Sequence, residues 1–233
     1  MLMYNNAITA TKANSLYWVG RYAERVYISL HLLRRYYDHM IDGDLVDYAE
    51  YYKKLDVTSE YTSNESFRVG HIYDENNPSS LMTSLELAND NAIVLREEIK
   101  SESLSYIQMS LSLLKSCAER HESNITELQP VTDYMLSFFG SIYERVFDKR
   151  IRSIIKIGKL VENIDMHVRF NYPCDRILEA FESLKFCQDV VQEAFDKEVL
   201  ATLNTLLAPA SYNIGDEAYK NTVLNYLNRL VLL

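Results

Sequence analysis

Arg21, Glu24 and Arg25 stand three and four residues apart in the stretch A-N-S-L-Y-W-V-G-R-Y-A-E-R, residues 13–25. On a helix, that spacing puts their side chains on one side. Apolar residues recur around them at Leu16, Val19, Ala23, Val26 and Leu30, the steps of a buried helix face. Charges in such a setting need partners from elsewhere in the chain. Residues 154–169, I-I-K-I-G-K-L-V-E-N-I-D-M-H-V-R, supply a matching stretch. Gly158 stands for Gly20, Lys159 for Arg21 and Glu162 for Glu24. Two chemistries fit. One is a buried ionic cluster that fixes the register of two crossing helices, in which losing one member strands a buried charge. The other is a crevice where arginines bind a polar ligand and a glutamate acts as base. Helical glycines at Gly20 and Gly158 let two backbones approach closely. The expectation is therefore a crossing there, with Glu24 and Glu162 in one polar cavity and Arg21 or Arg25 as the partner of Glu24.

Other chemistry finds less support. None of the five histidines lies three residues after a glutamate, the spacing a carboxylate-bridged di-metal bundle needs. H-E-x-x-H, C-x-x-C and the phosphate-cradling and nucleophile-elbow glycine motifs are absent. Glu24, Glu162 and Asp165 offer oxygen ligands to magnesium, which ordinarily also wants waters and a phosphate. No metal or cofactor is expected. His31 and Cys117 read as packing residues.

The elements that must position these groups are helical. The first helix runs from Thr11 or Asn14 to about His39, and a short one follows at residues 45–55, capped by Asp44. Residues 57–76 are polar and read as a long surface loop, with at most a helical turn or strand-like piece at Phe67–Tyr73. Asn77-Pro78 reads as a cap and first turn of a helix reaching about Lys100. Further helices are expected from Leu104 to Arg120, from Thr132 onward with a break near Asp148, and through the repeat helix at 151–171. Helices at 173–194 and 197–207 follow, and a last one after Gly215-Asp216. Six glycines and four prolines in 233 residues argue against many short strands. The fold class is all-α: one domain over residues 1–233, a multi-helix bundle of antiparallel helices with an internal pseudo-repeat of two motif helices.

Composition narrows the partners. Acidic residues outnumber basic ones 33 to 24, a net charge of −9, which disfavours nucleic acid and anionic membrane. Three widely spaced cysteines read as buried thiols of a reducing compartment. With no signal pattern and no long apolar run, a soluble cytoplasmic protein is expected. Eighteen tyrosines against one tryptophan read as semi-buried packing at helix edges.

Three stretches together carry a family resemblance: N-S-L-Y-W-V-G-R-Y-A-E-R, N-P-S-S-L followed by N-A-I-V-L-R-E-E-I, and I-G-K-L-V-E-N-I-D-M. In that order the sequence resembles the bacterial alpha-E domain over about residues 1–170. The resemblance implies an all-helical domain found beside, or fused to, ATP-grasp-type amide ligases and transglutaminase-like proteins. It thereby implies a role in making or processing peptide-like amides. One form is an accessory or binding partner of such a ligase; the other is an enzyme of the same pathway using Glu24 or Glu162. Carried over by position, the motif residues are Arg21, Glu24, Arg25, Asn91, Arg96 and Glu162. Asn91 lies close enough to its helix's buried stripe to join the polar cluster. The second motif departs from the family pattern, since Lys159 and Asn163 stand where arginines are usual, and lysine lacks the two-pronged contact of arginine.

Overall fold

The computed structural model describes residues 8–41, 48–55, 61–120 and 124–233. Eleven α-helices and two short 3-10 turns occupy them, and among the described residues the only extended pairing is an isolated bridge between Phe195 and Val231. Two helices organise the rest: α1 (Ala10–Ile41) and α8 (Lys149–Arg169). Against α1 pack α4 (Leu81–Val94) and α7 (Gln129–Arg145), and α6 (Ser101–Glu119) bridges these two. Against α8 pack α9 (Cys174–Gln188) and α11 (Glu217–Arg229), with α10 (Lys197–Leu206) on α11. The chain thus makes two groups of helices sharing the α1–α8 pair as their common wall. Flanked by α4, α7 and α8, α1 exposes no residue between Leu16 and Leu30. A one-sided apolar stripe would not suffice there.

The pair is parallel, not antiparallel. Tyr17 and Gly20 lie against Ile155 and Gly158, and Arg25 lies against Glu162 further along both helices. The glycines are required by the approach: a Cβ on Gly20 would sit 2.2 Å from the Ile155 carbonyl oxygen, and one on Gly158 would sit 2.0 Å from that of Tyr17. Both fall well inside contact distance, so these backbones touch because neither position carries a side chain.

Three boundaries differ from the sequence reading. Within 57–76, residues 64–73 form helix α3 (Asn64–Tyr73), closed by a capping box between Ser63 and Ser66 and burying Phe67, His71 and Ile72. Residues 56–60 lie outside the described residues, as does Asp44, the expected cap of α2 (Tyr48–Lys54). Ser80, not Asn77, caps α4: its hydroxyl accepts from the Thr83 amide at 3.0 Å. Asn77 is buried and donates to the hydroxyls of Tyr52 and Tyr61. Finally, α4 stops at Val94, and α5 (Arg96–Ile99) leads to Lys100 at φ 71° before α6 starts. The break before α8 falls where expected, with Asp148 capping the Arg150 and Ile151 amides.

The tyrosines go deeper than helix edges. Tyr51 and Tyr52 are fully buried and hold the imidazole of His71 between their hydroxyls, at 3.1 Å from Nε2 and 3.3 Å from Nδ1.

Candidate functional site

The crossing of α1 and α8 exchanges charges reciprocally. Glu162 of α8 is held by two arginines of α1. Arg21 donates through Nε to Oε2 at 2.7 Å, and Arg25 donates through Nε to Oε1 at 2.6 Å and through Nη2 to Oε2 at 3.2 Å. Glu24 of α1 is held by the equivalent positions of α8: Asn163 donates to Oε1 at 3.0 Å, and the Lys159 ammonium lies 3.1 Å from Oε2. That last contact is not aligned as a hydrogen bond, so Oε2 has only the electrostatic attraction. Each glutamate thus binds the other helix's residues at the positions three before and one after its counterpart. The pseudo-repeat is a local two-fold relation between parallel helices, and the two clusters lie on its opposite flanks.

The flanks differ in strength. Glu162 is 1% exposed; burial pushes its carboxyl up, but Arg25 and Arg21 together outweigh burial and hold it below the ordinary carboxylate range. The Arg21 guanidinium also lies over the Trp18 ring at 5.2 Å, and that of Arg25 over Tyr22 at 5.7 Å. On the other flank Lys159 brings a single ammonium, seated 3.8 Å from the centroid of Phe139 on α7.

Beside Glu162 opens a cleft of about 280 Å³ whose polar lining includes Arg21, Arg25, Ser29, Glu162, Asp165 and Arg169. Arg169 donates through Nε to Asp165 Oδ1 at 2.7 Å and reaches the Lys54 carbonyl at 3.3 Å. Burial and the charge of Glu162 push the Asp165 carboxyl up, against the pull of Arg169. Residue spacing foreshadows Asp165 and Arg169, three and seven positions after Glu162 on one helix side, although the sequence alone marks Asp165 only as an oxygen ligand for magnesium and gives Arg169 no role.

Among the described residues, and contrary to the expected shared cavity, Glu24 and Glu162 do not share the cleft. Glu24 does not line the cleft; it is buried on the other flank. Its partners are Lys159 and Asn163, not Arg21 or Arg25, because the arginines reach across to Glu162. Asn91 stays out of both clusters and donates to the Leu87 carbonyl of its own helix at 2.8 Å. Arg96 is exposed at the start of α5. Among the described residues no three His, Cys, Asp or Glu side chains gather as a metal-binding group, and no helix is long and apolar enough to cross a membrane.

A helical domain built on two crossed helices, one carrying R-x-x-E-R and the other K-x-x-E-N, defines the class. The chain belongs to the Alpha-E family, described as a predicted alpha-helical domain with a conserved ER motif, whose model matches residues 9–192. Glu24-Arg25 is an E-R pair within that match, and its counterpart on α8 is Glu162-Asn163. Neither a curated protein nor a solved structure matches the chain.

Proposed function

We propose that this chain is a non-catalytic helical partner of an ATP-grasp-type amide ligase acting on peptide-like substrates in the cytoplasm. The observation that carries the reading is the state of the two motif glutamates. Both oxygens of Glu162 accept from guanidinium groups, and Glu24 is buried against Lys159 and Asn163. A general base needs a carboxylate free to take a proton from substrate. Carboxylates engaged this fully hold two helices in register, and a rigid pair of that kind suits a binding scaffold. The link to a ligase comes from the family resemblance.

Mixing the purified chain with an ATP-grasp-type ligase and a transglutaminase-like protein of the same organism tests it. A one-to-one complex with the ligase on gel filtration is expected, with no turnover of peptide-like amides by the chain alone. No complex with either protein would sink the reading. One observation favours an enzyme as the second reading: the cleft beside Glu162 holds Asp165, whose carboxyl is pushed up toward proton donation. Turnover by the chain alone that disappears in Asp165→Asn would replace the first reading with this one.

A further inference from the structure

We infer that the groove between α7 and the first half of α8 is a docking site for an amphipathic α-helix of a partner protein, acidic along its α8-facing edge. The inference rests on the reading of the chain as a binding partner and adds where and what it binds. The groove encloses about 320 Å³ over an apolar floor of Phe139, Ile142 and Ile155, with Tyr143 on its wall. Its ionisable lining groups other than Tyr143 are Arg152, Lys156 and Lys159, all cations, on a chain whose net charge is −9. Glu24 beneath Lys159 is buried and already paired. Lys156 is exposed and makes no ion pair among the described residues. An acidic edge is what such a rim complements.

A second, independent observation points to a helix. Gly140 lies in the interior of α7, where glycine weakens a helix relative to alanine. Gly20 and Gly158 are explained by backbone contact, but a Cβ on Gly140 would meet nothing within 4 Å. Among the described residues nothing uses that opening. Leu136, Gly140 and Tyr143 recur at helical spacing on one exposed face of α7, with Leu136 48% and Tyr143 71% exposed, and this face adjoins the groove at Tyr143. A small residue between two large apolar ones is the surface a second helix packs on closely.

The test uses a synthetic amphipathic helical peptide of about five turns, leucines on one face and glutamates beside them, and its counterpart with lysine for every glutamate. Binding is followed by fluorescence anisotropy. The glutamate peptide should bind, weaken with added salt, and lose about tenfold in affinity with Lys156→Glu. Gly140→Leu, on the face beside the groove, should weaken binding. Gly140→Ala should raise the melting temperature of the free protein while weakening the peptide, a pairing that misfolding cannot produce. Equal binding of both peptides overturns the inference, as does binding indifferent to Gly140→Leu and Lys156→Glu. Self-association on sedimentation that Gly140→Leu removes also overturns it, since the occupant is then a second copy. A ligase complex indifferent to Gly140→Leu removes this surface and keeps the partnership. Peptide binding without any ligase complex keeps the surface and removes the ligase.

Discussion

Glu162 and Glu24 occupy equivalent positions in two related helices, yet they neutralise different loads. Replacing Glu162 with alanine leaves two guanidinium groups facing each other, Arg21 being 7% exposed. That change should cost about 3–5 kcal/mol of unfolding free energy. Glu24→Ala strands one ammonium whose side chain is 29% exposed and which Phe139 still faces, and should cost about 1–2 kcal/mol. Urea denaturation of the two variants checks the order, and equal losses would contradict the asymmetry. Nothing in the spacing of Arg21, Glu24 and Arg25 reveals this. The same i, i+3 and i+4 steps serve a pair within one helix or a reach to the next, and an arginine side chain is long enough for either. Only the placement of α8 decides, and it puts the arginines on Glu162.

At the scale of elements, the α1–α8 contact depends on absent side chains. Gly158→Ala gains helix propensity of about 1 kcal/mol but drives a methyl into the Tyr17 carbonyl, backbone that no rotamer change can move. The net expectation is a loss of about 2 kcal/mol, measured by the shift in the denaturation midpoint. Gly215→Ala, whose Cβ meets nothing, should stay within about 0.5 kcal/mol of the parent. The pairing of the two glycine helices was legible because both glycines sit inside strong apolar periodicity at matching steps. Their parallel course was not, since periodicity is blind to direction. Helix α3 was hidden for a different reason. Its capping box uses serine at both positions, where glutamate or glutamine at the second is the usual signature, and its short apolar stripe is spread among polar residues that read as loop.

For the whole molecule, acid is the condition that separates its supports. His71 is completely buried between tyrosine hydroxyls, and burial lowers its pKa to about 3 from 6.5. Burial also lowers His167, to about 4. The unfolded chain therefore takes up protons near pH 6.5 that the folded one refuses. The stability from each neutral histidine is complete above about pH 6.5 and is lost as pH falls toward the folded value. Between about pH 6 and 5, above the window in which Glu162 begins to titrate, a fall of about 1.4 kcal/mol per pH unit from His71 is expected. Thermal melts across that window in His71→Gln should show a shallower decline than the parent, even though the variant starts less stable. An unchanged slope would mean His71 takes up its proton in the folded state. Beyond the family match at residue 192 the fold continues: α11 packs on α8 with α10 against α11, and Lys220 reaches Asn171 just past the end of α8. The sequence marks both helices, at 197–207 and after Gly215-Asp216, and the packing of the last on the bundle, but not its seat on α8, because that contact is long-range.

Gly20 and Gly158 meet across 138 residues of chain, and this separation sets an order of events during synthesis. At a translation rate of about 5–20 residues per second, α1 leaves the ribosome roughly 7–28 s before the helix it must touch. For that interval it has α4 and α7 but not α8 to cover it, and a nascent helix with an uncovered face invites aggregation. Arg21, Glu24 and Arg25 are then water-facing charges on the waiting surface. The residues that lock the finished crossing are, earlier in the life of the chain, what keeps its unfinished half in solution.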